Sequence, residues 1–122
     1  MREKIYETVL GGPVDLKGVK KNLERKLKRG YFHKWGEFKY RWGGRKNILY
    51  IGNKNWSGKI SFLKTKLAID LDLPIVGKIP GEILFEKSKK IVFWADIPFL
   101  AKLFVFPIMK KIAKEIKNIL IS

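Results

Sequence analysis

Hydrophobic and polar positions change period several times along this chain, and each change marks an element. In residues 3–10, Ile5, Glu7 and Val9 fall on one face and Tyr6, Thr8 and Leu10 on the other, which predicts a strand. Gly11–Gly12–Pro13 ends it. Asp15 is placed to start a helix, because its carboxylate accepts a hydrogen bond from an otherwise orphaned backbone N–H. Leu16, Val19, Leu23 and Leu27 follow at spacings of three and four, and Gly30 supplies a stop.

From Trp35 the period becomes two. Phe38, Tyr40 and Trp42 share one strand face, Glu37, Lys39 and Arg41 the other. After a turn at Gly43–Gly44, residues 48–52 predict a second strand, with Ile48 and Tyr50 opposed to Leu49 and Ile51. Residues 58–73 change phase part-way: Ile60 and Phe62 set one, Leu63, Leu67, Ile69, Leu71 and Leu73 the opposite one. A bulge or a tight turn near Lys64–Thr65–Lys66 explains the switch, leaving one bent strand or two paired strands as alternatives. Residues 74–81 hold two prolines and two glycines and predict a loop, followed by strands over residues 82–86 and 90–95. Asp96 ahead of Pro98 opens a C-terminal helix with Leu100, Leu103, Phe104, Ile108, Ile112, Ile116, Ile119 and Leu120 at helical spacing. Pro107 is expected to kink or split it. The order predicts a single α+β domain over residues 1–122. An antiparallel sheet of about six strands packs on a long C-terminal helix, with a basic helix after the first strand.

This order resembles the helix-grip (START/Bet v 1-like) superfamily, and more narrowly the small polyhydroxyalkanoic acid system proteins. The residues that carry the resemblance are the helix over 17–28, Tyr40–Arg41–Trp42–Gly43, Trp56–Ser57–Gly58–Lys59–Ile60, the strand over 67–73 and an amphipathic helix from Pro107. The hairpin region over 74–95 is additional to the smaller family's pattern. The resemblance implies a curved sheet gripping the last helix and a groove for an apolar ligand. It supplies no catalytic residues.

Charge adds what the pattern does not contain. The 122 residues hold 27 Lys plus Arg against 11 Asp plus Glu, a formal charge of +16, and no cysteine. Disulfides and thiol chemistry are excluded. The Leu103 to Met109 window is free of charge for only seven residues, too short for a membrane-spanning helix. No apolar run followed by a small-residue cleavage site is present, so the expected location is cytoplasmic.

Residues 17–46 hold 12 Lys or Arg and 2 Asp or Glu. Such clustering destabilises a compact state unless a polyanion relieves it. Lys20, Lys21, Arg25, Lys28, Arg29, Arg41 and Arg45 are the candidate phosphate contacts. Tyr31, Phe32 and Trp35 lie outside the core alternation and are candidate stacking residues, with Trp56 a further exposed candidate. No helix-turn-helix, zinc finger or RNP-type motif is present, so recognition by shape and backbone is expected. The expected function is non-enzymatic binding of nucleic acid, RNA rather than DNA, and structured RNA or a ribonucleoprotein in particular. The competing reading is an apolar-ligand module, or a protein coating an apolar granule or an anionic membrane surface.

Other chemistry is thinly supplied. His33 is the only histidine and is expected on a loop or the surface, with a ligand or phosphate contact as the alternative. Asp70 and Asp72 share a strand face and form either its polar side or a cation site. Ser57 and Ser61 have no base beside them. A hydrolase or isomerase would draw on Asp70, Asp72, Glu82 or Asp96. No metal or cofactor is expected. The apolar stretch Phe99, Leu100, Leu103, Phe104, Val105 and Phe106 is expected to be buried, with Lys110, Lys111, Lys114 and Lys117 on the polar side of the helix.

Overall fold

The computed structural model describes residues 2–43, 47–87 and 89–121. Strand β1 (Arg2–Val9) leads to helix α1 (Leu16–Lys26). Seven strands follow: β2 (Phe32–Trp35), β3 (Phe38–Gly43), β4 (Ile48–Gly52), β5 (Ser57–Phe62), β6 (Leu67–Leu73), β7 (Gly77–Glu86) and β8 (Lys90–Asp96). A 3₁₀ turn (Phe99–Ala101) opens the terminal helix α2 (Lys102–Ile121). The strands form one antiparallel sheet in the order β1-β8-β7-β6-β5-β4-β3-β2. The architecture is α+β as expected, but with eight strands instead of about six.

The extra strands are β2 and the second strand within 58–73, and β7 is longer than expected. Residues 32–35 pair with β3, which needs only a two-residue turn at Gly36–Glu37, and Gly36 adopts a positive φ there. The expected loop over 74–81 shrinks to a turn at 74–76, and β7 begins at Gly77. Pro80 is tolerated because β7 pairs with β8 only from Gly81 onward, so Pro80 sits beside a single neighbouring strand. Residues 58–73 are two paired strands. The Leu63 N–H donates to the Lys66 carbonyl at 3.0 Å, closing a tight turn. In β1 the shift of register between Lys4 and Tyr6 leaves Ile5 as a bulge. Ile5 is therefore core while Glu7 and Val9 turn outward, which separates residues expected on one face.

Side chains on the inner face form the core: Phe38, Tyr40, Trp42, Leu49, Ile51, Ile60, Leu67, Ile69, Leu71, Ile79, Ile83, Ile91 and Phe93. Helix α2 lies on this face through Val105, Met109, Ile112, Ala113, Ile116, Ile119 and Leu120. The space left among Ile5, Ile69, Leu71, Phe93, Met109 and Ile116 is about 10 Å³, at the threshold for one water, so this part of the interior is filled. Pro107 neither splits α2 nor shortens it. It lies with Leu103 on the exposed side, where the carbonyl deprived of its donor is open to water.

Helix α1 buries Val19 and Leu23, and the Asp15 carboxylate accepts from the Gly18 N–H at 2.8 Å, as its N-cap role predicts. Asn22 Nδ2 and Lys26 Nζ donate to the carbonyls of Leu120 and Ile119 at 2.9 and 3.1 Å. They cap the C-terminus of α2, where a cation also meets the favourable end of the helix dipole. Burial, with help from neighbouring Arg25, lowers the Lys26 pKa.

Tyr40 is completely buried, its hydroxyl has no hydrogen-bond partner among the described residues, and burial pushes its pKa up. An unpaired buried hydroxyl costs about 1–3 kcal/mol. Tyr40→Phe is expected to raise stability by about 1 kcal/mol, read as a higher urea midpoint at unchanged slope. A lower midpoint would show that the hydroxyl is satisfied.

A candidate nucleic-acid interface

The strand registers place two rows of side chains on the outer face of the sheet. Cross-strand partners point the same way. Phe32, Arg41, Tyr50 and Lys59 form one row, and Lys34, Lys39, Gly52 and Ser57 the next. The Arg41 guanidinium lies over the Phe32 ring at 5.1 Å and over the Tyr50 ring at 4.6 Å. Gly52 keeps the middle low, since a Cβ there would meet the Trp56 carbonyl oxygen at 2.9 Å. The result is a shallow basin of about 570 Å³, lined by Phe32, Lys34, Lys39, Arg41, Tyr50 and Lys54 among others.

Lys34 and Lys39 are directly opposed across β2 and β3. Like charges in that position destabilise a sheet. Neither they nor Arg41 or Lys59 has an ion-pair partner among the described residues, although Asp70 stands next to Lys59 in the β5–β6 register. The opposite end of the outer face contrasts with this. Arg2 and Lys4 stack on Trp94 at 4.4 and 5.5 Å, yet Glu82 pairs with both Arg2 and Lys66, and Glu7 pairs with Lys4 and Lys90. The hydrogen bond from Lys66, with Arg2 adding charge, holds Glu82 below the usual carboxylate range. Carboxylates thus neutralise Arg2, Lys4, Lys66 and Lys90 towards the β1 edge, whereas Lys34 on β2, Lys39 and Arg41 on β3 and Lys59 on β5 are left bare among the described residues.

The expected site residues divide into two groups. Lys20, Lys21 and Arg25 stand on α1, away from the sheet's outer face, and Arg25 donates to Asn22 Oδ1 at 2.6 Å. Arg41 and Phe32 belong to the basin, and Phe32 is 64% exposed. Lys28 and exposed Tyr31 connect the groups through the segment joining α1 to β2, with Lys28 Nζ 4.7 Å from the Tyr31 ring. Arg29 is engaged: it pairs with Glu24 at 3.2 Å, bonds Asn47 and lies 5.4 Å over Trp42. Trp35 is no free stacking platform. It shares the inner face with Phe38, packs against the core and carries Lys26 Nζ 4.9 Å above its ring. Trp56 is buried, edge-on to Phe38 at 4.9 Å. Arg45 lies outside the described residues. Sequence reading missed Tyr50, Lys34, Lys39 and Lys59 as members. Their signal was the strand register, in which Arg41 stands opposite Tyr50.

The remaining candidates find ordinary places. His33 Nε2 accepts from the Lys28 backbone N–H at 3.0 Å and so holds the turn after α1. Asp70 and Asp72 are exposed on the outer face, Glu82 is paired as described, and Asp96 ends β8. Among the described residues no three His, Cys, Asp or Glu side chains are grouped to hold a metal ion, and no helix is long and apolar enough to cross a membrane.

The apolar stretch before Pro107 does not behave as expected. Val105 is buried and Phe106 half-buried, but Phe99, Leu100, Leu103 and Phe104 are exposed. Leu100 and Phe104 line a groove of about 830 Å³ at one end of the sheet, which Phe38, Trp56, Leu73, Ile75 and Val76 complete, while Phe99 and Leu103 stand exposed outside it. The outer side of the first turns of α2 faces this open end, and nothing among the described residues covers it.

Comparison with protein-family models, curated proteins and solved structures finds no match to this chain.

Proposed function

We propose that the protein binds RNA without chemical conversion, holding phosphates with Lys34, Lys39, Arg41 and Lys59 and stacking an unpaired base on Phe32. The reading rests on one observation: a bare, like-charged lysine pair beside an exposed ring and an arginine–tyrosine stack. The free chain bears the cost of that repulsion, and a polyanion removes it while releasing counterions. A base presents a π-face to Phe32 whatever its identity, so this mode favours loops or single-stranded stretches of a structured RNA over particular sequences. Lys28, Lys20, Lys21 and Arg25 extend the field around the β2 edge towards α1. We also infer a helix-grip lineage, supported by a single sheet whose inner face holds the last helix.

Fluorescence anisotropy with a labelled hairpin RNA, titrated in salt, tests this. Four phosphate contacts on single-stranded RNA give a slope of about −2.8 in log affinity against log salt. Affinity that persists unchanged to ~0.5 M salt would contradict a mechanism based on counterion release.

A further inference from the structure

The apolar end of the molecule is a second surface, which adjoins the RNA basin at Asn53 and Trp56. Leu100 and Leu103 are each 89% exposed, Phe104 is 76% exposed, and Phe99 and Ile75 are also open. Ile75 sits at the tip of the β6–β7 turn with φ of 71°. A β-branched residue in the left-handed region is strained, and a fully exposed isoleucine gains no burial in return. Both features make sense if the tip is covered by an apolar phase that the described residues do not provide.

Charge indicates which phase. Along α2 the apolar residues come first and the exposed lysines Lys110 and Lys114 follow, with Lys111 paired to Glu37 at 2.7 Å. At 1.5 Å per residue, Lys110 and Lys114 lie about 10 and 16 Å beyond Leu103. Lys54 and Lys78 flank the same end, beside Asn53 and the 74–76 turn. An apolar tip that sinks ~5–10 Å with lysines about two to three turns behind it matches a bilayer with anionic headgroups. A second copy fits poorly, because each copy carries a formal charge of +16. We propose that this end, with Ile75, Leu100, Leu103 and Phe104 inserted and Lys110 and Lys114 at headgroup level, docks the protein on an anionic membrane surface.

The test is co-sedimentation of nuclease-treated full-length protein with vesicles of phosphatidylcholine containing phosphatidylserine, against vesicles of phosphatidylcholine alone. The wild type should pellet with the anionic vesicles only. Leu103→Glu with Phe104→Glu should weaken this partition ~100-fold, since it removes two inserted side chains and adds repulsion. Both side chains are exposed, and an unchanged melting curve checks that the variant folds. Lys110→Glu with Lys114→Glu should lower the partition ~10-fold or more. Phe32→Ala, in the RNA basin, should leave it unchanged. The proposal is overturned by wild-type protein that stays in the supernatant, or by equal binding to both vesicles. It is also overturned if the Leu103/Phe104 variant binds like the wild type, if lipid is extracted into a soluble complex as an apolar-ligand carrier would do, or if the patch instead drives dimerisation.

Discussion

Phe32→Ala combined with Arg41→Gln is expected to weaken RNA binding about 100-fold while leaving the fold intact. Stacking one base is worth about 1–3 kcal/mol, and loss of a phosphate-bound cation adds to it. The stability cost is small, because Phe32 lies on the edge strand β2 and is absent from the core. Its contact with Arg41 is a surface cation–π pair worth about 0.5–1 kcal/mol. Anisotropy titration reads the affinity, and a thermal melt reads the fold. A second comparison locates the interface. Lys20→Glu with Lys21→Glu changes the distant field on α1 and should cost less than the basin variant. The reverse order would move the principal contact from the sheet to the helix. Arg25→Glu with Arg29→Glu is a poorer probe, because Arg29 already pairs with Glu24 and packs on Trp42.

The largest stability effect is expected from Trp42→Ala, a loss of about 3–5 kcal/mol. Trp42 is fully buried, meets Phe62 edge-on at 5.2 Å and lies beneath the Arg29 guanidinium. Its carbonyl accepts from the Gly30 N–H at 2.8 Å, which fastens the exit of α1 to β3. The indole N–H has no partner among the described residues, so removing it recovers part of the loss and keeps the effect within this range. For a marginally stable domain this is a large share of the total, and a fall of ~10–20 °C in Tm is expected. A change below ~1 kcal/mol in urea unfolding would mean that the α1–β3 junction does not belong to the cooperative core. The variant should also weaken RNA binding, because Lys28 and Tyr31 depend on that junction for their position.

Most of the elements were legible because period is a local property. The alternation of Phe38, Tyr40 and Trp42 against Lys39 and Arg41 is set by the pleat, and these side chains divide between core and surface as it requires. The stripe Val19, Leu23 and Leu27 is buried for the same reason. The α+β class and the C-terminal helix followed from the order of such segments.

What was not legible depends on partners distant in the chain. β2 is a strand only because β3 is folded back beside it, and Trp35 is half-buried because that register turns it inward. Pro80 suits a strand only where β8 does not reach. The phase of β1 reverses at Ile5 because of a bulge against β8. Phe99, Leu100, Leu103 and Phe104 have the composition of a core, yet their burial depends on what α2 meets at its start, and it meets an open groove. The sequence by itself determined the excess of positive charge, the periods of the main elements and the lack of thiol chemistry. Only the tertiary structure decided which cations go unpaired and which apolar side chains remain in water, because both depend on distances across the sheet that no local pattern encodes.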